Sequence, residues 1–462
     1  MSLLTVPLQL GGPGPLVSFV VGVAVVVLLL VRFDFPAFIA LVVAALTVGI
    51  VTPAVPLSEV PTQVATAFGD GMRGIGIPIL MAAVIGKTMM ESGAAVRIVR
   101  GFSSLTGEDN NYWALFGSGY VLSIPVFFDN VFYLLAPLAR SMRARVGKNY
   151  TLFIVVIGAS AATTHGFVPP TPGPLAVASE LGINLGIMTV VGIAVAIPTA
   201  LVSGVAYGKW VNRRLDIPLR DSVDSSGEEL EEMAQRSTDE LPGLVESLLP
   251  IVLAIVLVSS GTIVSTLFGG GTLAAITGFV GDSNVALTIA ALAAAFTYFR
   301  VRDIDRETWS DELTGALRTG GNIAAITAAG GAFGALLAAA GVGDYIANVL
   351  SGIGLGLIVT SWVIAAAVRI AQGSATVALL TTAGIVAPLL GQLSVHPVYV
   401  AMAIGAGGTT TSWYNDSGFW LVKEIGGLTQ AETLKTWTVL TTLIAITGLI
   451  SVLVLSSIFP LA

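Results

Sequence analysis

Residues 151–180 read TLFIVVIGASAATTHGFVPPTPGPLAVASE, and this stretch decides the fold. It is apolar over the length a helix needs to cross a bilayer, about 20 residues. Its middle, Thr163-Thr-His-Gly-Phe-Val-Pro-Pro-Thr-Pro-Gly-Pro174, cannot be a continuous helix. Pro169, Pro170, Pro172 and Pro174 withdraw four amide donors and clash with the preceding turn. In hydrocarbon, irregular backbone survives only when it is buried in protein or faces a water-filled cavity. The stretch therefore reads as an interrupted membrane helix beside a polar cavity.

The surrounding sequence supports a membrane setting. Of 462 residues 55% are hydrophobic and 11% charged, against roughly 25% charged in a soluble domain. The runs Leu16–Val31, Phe35–Val51, Ile187–Tyr207, Leu248–Leu267 and Trp437–Phe459 each suit a span. The first run carries no basic flank or small-residue cleavage signal, so it is expected to stay as a permanent span. There is no cysteine, which excludes disulfides and thiol chemistry. The net charge of −7 owes much to a hydrophilic stretch, 215–241, that carries nine acids and reads as a solvated linker. Nothing points to a nucleic-acid partner.

The chain resembles itself at an offset near 248 residues. AAVIGKTMMESGAAVRI (82–98) aligns with GGAFGALLAAAGVGDYI (330–346). LSIPVFFDNVFYLLAPL (122–138) aligns with GSATVALLTTAGIVAPL (373–389), and IGASAATT (157–164) with IGAGGTTT (404–411). Duplicated halves are a common build of secondary transporters. The expected organisation is a first repeat over 1–214, the linker 215–241 and a second repeat over 242–462. Each repeat has five transmembrane helices, one of them interrupted, plus a re-entrant hairpin. The first repeat places spans near 15–32, 35–52 and 72–92, a hairpin near 112–140, the interrupted span near 151–180 and a span near 186–208. The second matches it with 246–267, 284–299, 320–340, 354–392, 397–425 and 434–459. The polar segments near 58–70 and 303–318 are expected along the membrane surface. An odd number of crossings makes the two repeats inverted. Every Lys and Arg except Arg73, Lys87 and Arg369 then falls on one face, which is cytoplasmic by the positive-inside rule. Both termini are placed outside, and the linker inside, the inner membrane.

Four segments break the helical pattern. Besides 163–174 they are Ser123-Ile-Pro-Val-Phe-Phe-Asp129-Asn130 at the first hairpin tip, Arg369-Ile-Ala-Gln-Gly-Ser-Ala-Thr376 at the second, and Thr409-Thr-Thr-Ser-Trp-Tyr-Asn-Asp-Ser-Gly418. Inversion brings them together near the midplane. Helix N-termini ending there suit a carboxylate, and hydroxyls and amides suit a polyol. Ionisable groups at this depth are costly and usually functional. Asp129 and Asp416 could carry a proton or cap a helix. His165 could carry a proton, bond a substrate hydroxyl while neutral, or be a satisfied buried histidine. Arg369 could pair with a substrate carboxylate or neutralise Asp129 or Asp416. Lys87 and Glu91, four apart, read as a local ion pair, and the many glycines as close-packing positions.

At these segments the chain resembles the gluconate permease (GntP) family of gluconate:proton symporters. The matching residues are Thr164-His-Gly-Phe-Val-Pro-Pro-Thr-Pro-Gly-Pro174, Arg369-Ile-Ala-Gln-Gly-Ser-Ala-Thr-Val377, Asn415-Asp-Ser-Gly-Phe-Trp420 and Phe127-Phe-Asp129. The resemblance implies proton-coupled uptake of gluconate or a related sugar acid. It also implies membership of the ion transporter superfamily, with scaffold and transport subdomains, elevator-like movement and a homodimer. On that reading Ser123, Thr164, His165, Gly166, Thr171, Gly173, Arg369, Gln372, Gly373, Ser374, Thr376, Thr411, Ser412 and Asn415 bind substrate. Asp129, Asp416 and His165 couple the proton. Thr171 stands where some members have His, and Asn130 where others carry an apolar residue; both affect which sugar acid fits. A sodium-coupled carrier of another small organic anion such as glycerate, or an uncoupled facilitator, remains open. An enzyme is not expected. No metal cluster and no nucleotide-binding loop is visible, and no cofactor is called for.

Overall fold

A computed structural model describes residues 14–33, 35–107, 110–220, 237–268, 271–342, 345, 356–393, 395–414 and 416–461. Among them there is no strand. The first half runs α1 Gly14–Val27, α2 Ala37–Val51, α3 Val60–Glu91, α4 Ala94–Thr106, α5 Asn111–Leu122, α6 Phe128–Val146, α7 Tyr150–Phe167, α8 Pro172–Glu180, α9 Leu185–Ala200 and α10 Tyr207–Asn212. The second half runs α11 Leu244–Phe268, α12 Thr272–Val280, α13 Ser283–Arg302, α14 Arg306–Ala339, α15 Leu357–Gln372, α16 Ala375–Val386, α17 Val398–Gly408, α18 Ser417–Gly426, α19 Gln430–Thr433 and α20 Val439–Ile458. Among the described residues, six helices are long and apolar enough to cross a membrane, or seven if the bent α3 is one span.

The helices end where the sequence reading put the breaks. α5 and α6 part at 123–127, α7 and α8 at 168–171, α15 and α16 at 373–374, and α17 and α18 at 409–416. At 1.5 Å per residue, α5 with its 12 residues is about 18 Å long, well short of the ~30 Å hydrocarbon core. Gly373 closes α15 in the left-handed region, φ 87°, where a side chain would be strained. Ser374 then caps α16 by accepting from the Val377 amide.

The polar segments near 58–70 and 303–318 are not separate helices. They continue into the spans that follow as α3, 32 residues, and α14, 34 residues. α3 bends by 48° between Gly74 and Gly76, and α14 runs unbroken. The short amphipathic helix α4 was not anticipated; its Ala94, Ala95, Val96, Ile98 and Val99 are buried on one side.

Small residues govern the packing. α3 and α14 cross antiparallel at Gly71 against Ala328 and at Leu80 and Ala83 against Gly320, where an added Cβ would come within 3.1 Å of the Ala328 Cα. α14 meets α16 at Gly334 and Gly384, whose backbones touch. Without a hydrophobic force between helices in lipid, such close approach supplies the attraction. The interrupted stretch Tyr150–Glu180 is 89% buried, whereas Leu244–Gly261 and Gln430–Ile458 are each 33% buried. The broken helices thus occupy the centre. Ile50, Val245, Leu292, Phe296, Val454 and Ile458 point outward as an apolar belt.

Candidate substrate site

All four breaks face one cavity of about 380 Å³, within the range of small-molecule sites. The first hairpin contributes Phe128 and Asp129. α7 and α8 contribute Ala162, His165, Gly166 and Gly173. The second hairpin contributes Arg369, Gly373, Ser374, Ala375 and Thr376, and the last break Thr409, Asp416, Ser417 and Gly418. The first turns of α6, α8, α16 and α18 therefore all present amide-rich, partly positive ends to this space. The C-terminal turns of α7 and α17 meet beside it. An added Cβ at Gly405 would lie 2.6 Å from the Gly166 carbonyl oxygen.

Arg369 projects from the last turn of α15 and is 4% exposed. Its Nη2 donates to Asp416 Oδ2, and the two form an ion pair. Asp416 is held further by the Ser412 hydroxyl and by the Gly418 amide, 3.0 Å from Oδ1, as the N-cap of α18. Trp437 Nε1 donates to Ser412 Oγ, and the Ser412 amide donates to Thr441 Oγ1 at 3.1 Å. Phe128 stacks on Trp437 with ring centroids 4.9 Å apart. One edge of the guanidinium is thereby fixed. Arg369 Nε and Nη1 are buried and have no hydrogen-bond partner among the described residues. These two donors lie on different edges of the guanidinium, on either side of the Nη2 that Asp416 engages, so each can offer a single charge-assisted hydrogen bond to an anion's oxygen.

Asp129 lies in the first turn of α6, exposed to the cavity. The α6 N-cap is Phe127, with no side-chain cap bond, so Asp129 does not cap the helix. Among the described residues it has no hydrogen-bond or ion-pair partner. His165 packs edge-on against Phe127, with centroids 6.3 Å apart, and its buried Nδ1 has no partner among the described residues. Both residues also border a second cavity of about 580 Å³ lined by Lys87 and Glu312.

Of the residues expected at the site, Asp129, His165, Gly166, Gly173, Arg369, Gly373, Ser374, Thr376 and Asp416 line the cavity. Of the others that are described, none lines it. Thr164 donates back to the Ser160 carbonyl within α7 at 3.0 Å, and Thr171 stitches its own break by donating to the carbonyls of His165 and Val168. Ser123 is fully buried behind the hairpin tip. Thr411 bonds Thr442 at 3.1 Å, and Ser412 supports Asp416 from behind. Asn415 and the Gln372 side chain lie outside the described residues. Sequence reasoning missed Thr409, Ser417, Trp437 and Thr441. Thr433, Trp437 and Thr441 form a stripe at four-residue spacing, which marks one helix face. Lys87 pairs with Glu91 at 2.8 Å as expected and also with Glu312 at 2.9 Å, which was not expected. No cluster of metal ligands occurs among the described residues.

Residues 14–458 match the sequence profile described as GntP family permease. The gluconate permease of Bacillus subtilis (strain 168) is 33% identical over 447 residues, covering 96% of this chain and 99% of that protein. The Gnt-II system L-idonate transporter of Escherichia coli (strain K12) is 34% identical over 445 residues, again covering 96% and 99%. The Alcanivorax borkumensis YdaH transporter structure superposes with a TM-score of 0.62 at 14% identity, covering 94% of this chain and 98% of that one. Neisseria gonorrhoeae MtrF gives 0.62 at 16% identity, covering 95% and 98%.

Proposed function

The chain belongs to the GntP family of permeases, and from that premise we propose that it takes up gluconate or a related sugar acid together with protons. The family consists of permeases, not enzymes, and the chain is a multi-pass membrane protein. Relatives named for gluconate and for L-idonate make sugar acids the substrate class.

The observation that carries the reading is the half-satisfied Arg369. Asp416 engages Nη2, and among the described residues Nε and Nη1 have no partner, so each keeps a donor for an anion's oxygen. The substrate carboxylate docks there, assisted by the N-termini of α8, α16 and α18. Its hydroxyls meet Ser374, Thr376, Thr409, Ser417 and Thr441, which line the same space. The Phe128–Trp437 stack provides an apolar wall for the carbon chain.

Charge supplies the coupling. Arg369 is the one Lys or Arg among the described residues lining the cavity, against Asp129 and Asp416. An incoming carboxylate faces one cation and two acids. A proton on Asp129 removes the uncompensated charge, so anion and proton enter together. Asp129 suits this because, among the described residues, no other side chain engages it.

The antiparallel packing of α3 on α14, the equivalent helices of the two halves, supports an inverted arrangement of 1–214 and 242–462. The half-length helices at the breaks support re-entrant hairpins, and the Lys/Arg distribution puts 215–241 in the cytoplasm and both termini outside. Elevator-like movement in a homodimer follows from the family resemblance. The test is Asp129→Asn: gluconate exchange between two equal pools should persist, while uphill uptake driven by a pH gradient is lost. Loss of binding with coupling intact would make Asp129 a substrate contact instead.

A further inference from the structure

We propose that Lys87 forms a transient carboxylate subsite on the route between the central site and the membrane face toward which α3 ends and from which α14 starts. The inference rests on the sugar-acid reading above. The second cavity, about 580 Å³, shares Phe128, Asp129, His165 and Thr376 with the central one. Solute leaving the site past Asp129 enters it. Its walls are the facing sides of α3 and α14, with Gly86 and Lys87 on one and Glu312, Gly315 and Thr319 on the other.

For an anion this vestibule is unwelcoming without Lys87. Its ionised lining would be Asp129 and Glu312, and Glu91 stands one helical turn from Lys87. Lys87 is the only Lys or Arg among the described residues lining it. The ammonium has three donors. Glu91 takes one at 2.8 Å and Glu312 another at 2.9 Å, which holds the head in place. The side chain keeps 37% of its exposure, and a third donor remains for a carboxylate in the cavity. The two glutamates compete with the passing anion, so it is held briefly. A fully satisfied, occluded pair would serve only to fasten α3 to α14; an ammonium left partly open in a vestibule can also hand the anion on from Arg369.

The test uses the full-length protein in proteoliposomes, with labelled gluconate exchange read as KM and maximal rate. Lys87→Gln should raise KM about tenfold, the loss of one charge-assisted hydrogen bond, and Lys87→Arg should restore it. Glu312→Gln should lower KM, because it frees Lys87. The double variant Lys87→Gln/Glu312→Gln should stay as impaired as Lys87→Gln. Recovery of wild-type KM in the double variant would show a helix fastening and overturn the subsite, as would an unchanged KM in Lys87→Gln. If Lys87→Gln does not fold, an unchanged KM in Glu312→Gln overturns it alone. Wild-type protein that exchanges no gluconate would instead sink the sugar-acid reading, and the subsite with it.

Discussion

Asp416→Asn separates the two jobs of the Arg369 partner. Asparagine still accepts from the Gly418 amide, and it is as good an N-cap as aspartate. What disappears is the charge opposite a guanidinium that is 4% exposed and has two nitrogens with no partner among the described residues. Removing one member of a buried pair costs about 3–5 kcal/mol, because the other charge is left uncompensated. With roughly 2 °C of apparent melting temperature per kcal/mol in a large chain, the drop is about 6–10 °C. The assay is a thermal melt of purified protein with and without gluconate. The freed guanidinium should gain more from the anion, so the stabilisation by gluconate should be larger in the variant than in the wild type. The double variant Arg369→Gln/Asp416→Asn should recover most of the lost stability and show no gluconate shift. A single variant melting within about 2 °C of wild type, or a double variant no better than the single, would refute the reasoning.

Other expectations follow from the same geometry. Trp437→Phe keeps the stack on Phe128 but loses the donor to Ser412; one net hydrogen bond of about 1 kcal/mol predicts roughly fivefold weaker gluconate binding by titration calorimetry. Gly334→Ala puts a methyl 2.5 Å from the Gly384 Cα, which α16 must yield to; overpacking of about 1–3 kcal/mol predicts impaired transport with near-normal binding if this contact slides during the cycle. Arg220→Ala removes a two-pronged pair with Glu432 at 2.6 and 2.8 Å on a part-exposed surface, so the loss in a thermal melt should be at most about 1 kcal/mol and shrink with added salt.

The breaks were legible in the sequence because proline, glycine and clustered polar residues are incompatible with an unbroken apolar helix. Their convergence could be anticipated from the repeats. Which polar atoms face the cavity could not. Thr164 and Thr171 occupy a break, but the Thr164 hydroxyl is spent on the Ser160 carbonyl one turn back, and the Thr171 hydroxyl on carbonyls that the prolines leave unpaired. Spacing alone does not distinguish that use from substrate binding. The choice of Asp416 over Asp129 as the Arg369 partner also depends on tertiary placement, since the two acids sit in different halves. Trp437 and Thr441 escaped notice because they begin what looks like a plain final span. α3 and α14 were cut short for a related reason: hydropathy locates the apolar layer, whereas helical hydrogen bonding runs on past it.

The central claim is that a sugar acid and a proton cross together. Lightly buffered proteoliposomes carrying a lumenal pH dye, given external gluconate without sodium, measure it directly. Coupled entry predicts lumenal acidification in step with gluconate uptake, abolished by Asp129→Asn. Gluconate entry with no change in lumenal pH, or entry that waits for sodium, would contradict it.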